Sequence, residues 1–113
     1  MRTARVTTLD GPASIEVTDL PEPTPIEGLV TIDVHFAGVT FPDVLLTRGQ
    51  YQIRPDLPFT PGSEVSGIVR RAPAGSGFVP GDRVAAFPGL GGFAQVVNAD
   101  PRMVFALPDE VGL

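Results

Sequence analysis

The sequence contains no cysteine, no tryptophan and no lysine, and it has a single histidine, His35. Without cysteine the chain can form neither a disulfide framework nor a thiolate metal site. One imidazole and carboxylates scattered along the chain match no metal-ligand spacing either. We therefore expect no zinc and no other bound metal in this chain.

Positive charge is also scarce. The 13 acidic residues outnumber 8 basic ones, which are all arginines spread along the chain, and the net charge is -5. This distribution argues against a nucleic-acid surface and against an anionic membrane surface. The chain has no apolar run of membrane-spanning length and no export leader, so a cytoplasmic protein is expected.

Length and turn residues indicate one small β-rich domain. The chain has 113 residues, enough for one hydrophobic core, and 13 glycines and 13 prolines, which punctuate it at short intervals. Strand patterns are predicted over residues 2–8, 14–19, 29–39, 63–71, 82–87, 92–99 and 103–107. The predicted fold is mainly β: a small, partly open barrel with one or two short helices.

The clearest strand is residues 29–39, where apolar and polar residues alternate. A two-residue period sends alternate side chains to opposite faces of a sheet. The core face is predicted to carry Val30, Ile32, Val34 and Phe36, and the solvent face Thr31, Asp33 and His35.

The period changes over residues 40–49, which predict a helix of about two turns. Thr40 can cap its N-terminus, Pro42 and Asp43 suit a first turn, and Gly49 can end it.

The glycine cluster PGLGGFA at residues 88–94 has the G-x-G-x-x-A spacing of a dinucleotide fingerprint, with Asp109 further on. That fingerprint requires a strand before the glycines and a helix after them. Pro88 precedes the glycines and a β-rich segment follows, so we interpret the cluster as a tight turn.

Glu64 lies within the strand-like run FTPGSEVSGIV at residues 59–69. A carboxylate in such a run is costly to bury without a partner. It is either held by an arginine or by backbone N–H groups near a domain boundary, or it lines a functional site. Periodicity alone leaves both alternatives open.

Four motifs occur in a characteristic order: AGVTFPDVLLTRGQY, PFTPGSEVSGIV, VPGDRVAAF and GGFAQVV. Together they resemble the N-terminal GroES-like domain of the medium-chain dehydrogenase/reductase superfamily, in its zinc-free quinone oxidoreductase branch. The resemblance covers nearly the whole chain. It implies that residues 1–113 form the substrate-side domain, and that the cofactor-binding Rossmann domain is absent from this chain.

The resemblance also implies a reaction: NADPH-dependent reduction of a quinone or enone by hydride transfer without a metal. Zinc-dependent members carry ligands at the positions of Thr40 and Ser63, which here are hydroxyl residues. Substrate-binding residues implied are Phe41, Leu45, Tyr51 and Glu64, and the cofactor-binding residue implied is Thr40. The full-length protein is expected to be a homodimer, and residues 1–113 alone are expected to be inactive.

Alternatives remain for the function of the domain and for the roles of two predicted site residues. The domain could instead be a binding or assembly module like the co-chaperonin whose fold it shares, or part of an enoyl-thioester reductase of the same superfamily. Thr40 could be only the helix cap, and Tyr51 could only close the barrel.

Overall fold

The computed structural model describes residues 1–113 as two antiparallel sheets, one α-helix and two short 3-10 turns. The strands are β1 Arg2–Arg5, β2 Glu16–Asp19, β3 Val30–Gly38, β4 Glu64–Arg71, β5 Arg83–Ala86, β6 Val96–Ala99 and β7 Val104–Ala106; the helix is α1 Phe41–Thr47. The 3-10 turns are Pro12–Ser14 and Pro101–Met103. No helix has the length and apolar character needed to cross a membrane.

Strand order confirms a mainly β, partly open architecture. Strands β1 and β2 form one sheet, and the other has the order β6-β3-β4-β5-β7. Isolated bridges join Thr3 to Ala94 and Val6 to Phe59, which tie β1 to the loops around the large sheet. The two sheets do not close into a continuous barrel.

The core of the large sheet is a cluster of nine small or β-branched residues: Val30, Ile32, Val65, Val69, Val84, Ala86, Val97, Ala99 and Val104. Every strand of that sheet contributes at least one of them. In β4, Val65, Gly67 and Val69 are buried whereas Glu64, Ser66 and Ile68 are half-buried, so burial alternates along the strand.

The alternation predicted for residues 29–39 is wrong at two positions. The register of β3 against β4 shifts between Val34 and Phe36, so His35 forms a bulge and the following side chains change face. Phe36 is consequently 63% exposed instead of lying in the core, and Ala37 packs against the core instead. Thr31, predicted to face solvent, is buried with its hydroxyl donating to Asn98 Oδ1 at 2.7 Å.

The predicted helix is confirmed over Phe41–Thr47, with Thr40 at the N-cap position. Below it lies a second, smaller core cluster of Val6, Leu46 and Phe59. This cluster joins α1 to the residue that follows β1 and to the loop before β4.

Candidate functional site

A buried carboxylate joins the start of α1 to the turn before β4. Asp43 is only 3% exposed. Its Oδ2 atom accepts hydrogen bonds from the backbone N–H of Thr40 at 2.8 Å and from the Thr40 hydroxyl at 3.0 Å. Its Oδ1 atom accepts from the Gly62 backbone N–H at 3.3 Å. A buried carboxylate is tolerated when both oxygens have donors, and Asp43 meets that condition.

This arrangement brings Thr40 and Ser63 together, although 23 residues separate them in the chain. Their hydroxyl oxygens lie 3.4 Å apart. Thr40 donates its hydroxyl proton to Asp43, so its oxygen keeps lone pairs that can accept a hydrogen bond from a ligand. The capping role and a ligand-binding role of Thr40 are therefore compatible.

We call the junction formed by Thr40, Asp43, Gly62 and Ser63 the Thr40 corner. The glycine cluster of residues 88–94 supports this corner through backbone hydrogen bonds. Gly91, Gly92 and Phe93 donate their N–H groups to the carbonyls of Thr60, Gly62 and Pro61 at 2.8, 2.9 and 3.0 Å, respectively. The two backbone segments lie so close together that position 62 requires glycine, because a Cβ on Gly62 would lie 2.5 Å from the Phe93 backbone nitrogen. Strand β6 follows the cluster, and no helix does, which confirms the tight-turn interpretation.

Tyr51 borders an apolar cavity next to the small core cluster. The cavity has a volume of about 300 Å³ and is lined by Leu46, Tyr51, Ile53, Pro88, Gly89 and Leu90. Tyr51 and Leu90 also pack against the small core cluster. Tyr51 therefore both closes the fold and lines a cavity.

Phe41 and Leu45 are residues of α1 that are not buried in the core. Phe41 is 71% exposed and Leu45 is half-buried, and neither lines the Tyr51 cavity. Val39, which precedes Thr40, is similarly exposed. An exposed apolar rim thus flanks the Thr40 corner.

Glu64 lies elsewhere. It lines a second cavity, of about 340 Å³, whose walls share no residue with the Tyr51 cavity. Its side chain extends over Gly38, where an added Cβ would lie 2.8 Å from Glu64 Cγ. None of the chain's four ion pairs involves Glu64, and no donor of this chain bonds its carboxylate. The predicted contact between Glu64 and substrate stays a prediction.

Sequence reasoning missed several residues of this region. The sequence predicts Asp43 only as suitable for a first helical turn, whereas its carboxylate bonds both Thr40 and Gly62; the Thr40-x-x-Asp43 spacing of a capping box is the signal that indicates the contact with Thr40. Ile53, Pro88 and Leu90 come from two loops that meet only in the folded chain. No local pattern could have paired them.

The fold and the corner around Thr40 define a class of protein: a GroES-like β domain. Residues 26–109 match the family model described as the alcohol dehydrogenase GroES-like domain. The chain therefore belongs to that family, which is part of the medium-chain dehydrogenase/reductase superfamily.

Its relatives place it near the quinone oxidoreductases. Over 85 residues it is 42% identical to quinone oxidoreductase-like protein 2 from Bos taurus, an alignment that covers 74% of this chain and 24% of the relative. A probable oxidoreductase from Mycobacterium abscessus superposes with a TM-score of 0.95 at 42% identity, covering 99% of this chain and 36% of the other.

The quinone oxidoreductase from Thermus thermophilus, solved also in complex with NADPH, superposes with a TM-score of 0.83 at 35% identity. This match covers 99% of the present chain and 34% of the Thermus chain. The chain thus spans only about a third, or less, of the length of these three relatives.

The prediction that Thr40 and Ser63 stand at the zinc-ligand positions of metal-dependent members stays a prediction. No group of three or more His, Cys, Asp and Glu side chains is arranged to hold a metal ion. The corner offers two neutral hydroxyls, which differ from the thiolate and imidazole donors that zinc prefers.

Proposed function

We propose that residues 1–113 are the substrate-side domain of an NADPH-dependent reductase of quinones or enones, which transfers hydride without a metal. The observation that carries the proposal is the Tyr51 cavity, an apolar space whose lining residues include one hydroxyl-bearing side chain, Tyr51. Small-molecule sites are typically apolar with a few polar groups that fix orientation. A planar acceptor with a carbonyl oxygen matches that combination.

The residues present fit the edge of a nicotinamide, and most of the cofactor would be bound by a second domain outside residues 1–113. Val39 and Phe41 provide exposed apolar surface on either side of Thr40. The Thr40 oxygen can accept a hydrogen bond from a carboxamide, since its own proton is engaged by Asp43.

Bound NADPH would supply a hydride, which is a proton together with two electrons, to the acceptor. This chain would position the acceptor and exclude water. Tyr51 would donate a hydrogen bond to the acceptor oxygen as negative charge develops there. A second proton, taken from solvent, completes a hydroquinone or a saturated ketone.

The test is an assay of the full-length protein, encoded by its natural reading frame, with NADPH or NADH and a series of quinones, enones and enoyl thioesters. We expect oxidation of NADPH that depends on a quinone or an enone and persists after dialysis against a chelator. Residues 1–113 alone are expected to show no turnover. Exclusive use of enoyl thioesters, activity restored only by zinc, or turnover by residues 1–113 alone would overturn the proposal.

A further inference from the structure

One wall of the Tyr51 cavity is a segment without internal hydrogen bonds. Residues 51–58 follow α1 and supply Tyr51 and Ile53 to the cavity. No backbone or side-chain atom of these eight residues forms a hydrogen bond within the chain, and none of the eight is buried. Segments with few buried contacts and exposed backbone open at a low free-energy cost. We call residues 51–58 the Tyr51 segment.

The two ends of the Tyr51 segment are held in place. Just before it, the Gln50 N–H donates to the Leu45 carbonyl at 2.9 Å, and Tyr51 packs against the small core cluster. Just after it, the Phe59 N–H donates to the Val6 carbonyl at 3.1 Å, and the Val6 N–H donates to the Phe59 carbonyl at 2.8 Å. The segment is therefore fixed at its ends and unsupported between them.

The opposite wall of the cavity, formed by residues 88–90, is anchored closely on both sides. The Phe87 N–H donates to the Met103 carbonyl at 2.9 Å, immediately before these residues. The Gly91 N–H donates to the Thr60 carbonyl at 2.8 Å, immediately after them. The cavity thus has one anchored wall of three residues and one unsupported wall of eight.

The unsupported wall carries an apolar side chain that a ligand can cover. Ile53 is 63% exposed although it lines the cavity. Moving it onto a flat apolar ligand would remove apolar surface of both from water, which is favourable. Pro55 fixes its own φ and restricts the residue before it, so the middle of the segment is stiff and moves as one piece.

We propose that the Tyr51 segment is a lid: when a flat apolar acceptor enters the Tyr51 cavity, the segment moves towards residues 88–90 and Ile53 covers the exposed face of the acceptor ring. This inference deepens the proposed function and rests on it. Lid closure excludes water from the acceptor, while Tyr51 stays in place at the anchored end. A flat acceptor of one or two rings fits beneath the lid, whereas a bulky ring substituent would hold it open.

Hydrogen exchange of the full-length protein, followed by mass spectrometry, tests the lid. Without ligand, we expect the amides of residues 52–57 to exchange at nearly unprotected rates. Addition of 1,4-naphthoquinone and NADP⁺, which are both oxidised and do not react with each other, should slow that exchange about tenfold. The control is the turn at residues 74–77, which lies outside the cavity and should not change. Protection of residues 52–57 without ligand, or unchanged exchange with naphthoquinone bound, would overturn the proposal.

Two variants distinguish Ile53 from the rest of the segment. Ile53→Ala is expected to weaken binding of 1,4-naphthoquinone about fivefold and to quicken exchange of residues 52–57 in the bound state, because the covering side chain is lost. The matched control is Leu57→Ala, at an exposed leucine of the same segment that does not line the cavity, and it should leave both measurements unchanged. Equal effects of the two variants would contradict a covering role for Ile53.

Hydrogen exchange needs no turnover, so the lid and the proposed function can fail separately. Slowed exchange with a quinone that NADPH does not reduce would refute the proposed function alone. Reduction of the quinone with unchanged exchange at residues 52–57 would refute the lid alone. Neither turnover nor slowed exchange would overturn both.

Discussion

The two core clusters of this domain are built in different ways. The large sheet encloses nine aliphatic residues that come from alternating positions of five strands. The region around α1 has only three buried apolar residues, Val6, Leu46 and Phe59. It relies instead on Asp43 and on the backbone ladder between residues 60–62 and 91–93.

The two regions contribute different properties to the domain. The large cluster supplies most of the buried apolar surface, which is the main favourable term in folding. The α1 region places hydroxyls, a cavity and exposed rings where a ligand can reach them. Backbone and polar contacts can hold these side chains in place, because they fix the positions of the loops without filling the cavity with apolar side chains.

The largest expected effect comes from the large cluster. Ile32→Ala removes a side chain with no exposed surface and should lower the free energy of unfolding by about 4 kcal/mol. Ile32→Val should cost about 1 kcal/mol. Chemical denaturation followed by circular dichroism measures both. Equal effects of the two variants would show that the cluster is loosely packed.

The backbone ladder predicts the next largest effect. Gly62→Ala combines a φ of +109° with a Cβ 2.5 Å from the Phe93 nitrogen, and should destabilise the domain by about 3 kcal/mol. The control Gly77→Ala has a φ of +87° and open space around it, so only about 1 kcal/mol is expected. If the two variants unfold at the same denaturant concentration, the ladder does not support the site.

Asp43 predicts a smaller and more local effect. Asp43→Asn places an NH₂ group beside existing donors, and we expect a loss of about 2 kcal/mol. Hydrogen exchange should quicken at the Thr40 and Gly62 amides while the amides of β4 and β5 stay protected. Asp56→Asn, at an exposed loop residue, is the control. Uniform acceleration across the large sheet would contradict a local role for Asp43.

The smallest effect concerns an exposed ion-pair network. Arg70 bonds Glu22 at 3.0 Å and also Asp33, and it lowers the pKa of Glu22 mainly through that hydrogen bond. Because the folded-state pKa is lowered, the contribution is present above the unfolded pKa and is lost as the pH falls through the folded one. Arg70→Gln should return the Glu22 pKa towards its usual range, measured by NMR of its carboxyl carbon, with little change in stability. A large fall in stability would mean that surface charges stabilise this sheet more than expected.

The sequence predicts the large cluster better than the α1 region. Alternation predicted Val30 and Ile32 as core residues because a strand has a simple two-residue period. The alternation gave the wrong face for Phe36. The bulge at His35 depends on how β3 pairs with β4, and the sequence of β3 alone does not determine that pairing. Likewise, the distance between Thr40 and Ser63 and the meeting of Ile53 with Leu90 depend on long-range loop packing. The family motifs predicted Thr40, Phe41, Leu45, Tyr51 and Glu64 as site residues, which stays a prediction, but they did not show that Tyr51 and Glu64 line separate cavities.

An acceptor bound in the Tyr51 cavity is the central claim. Ile53→Trp tests it most directly, because Ile53 is 63% exposed at the cavity wall and a larger ring there can fill the space without disturbing the core. In the full-length enzyme, we predict that kcat/KM for 1,4-naphthoquinone falls about tenfold or more, while NADPH affinity and Tm stay unchanged. An unchanged kcat/KM would contradict the claim and place the acceptor elsewhere.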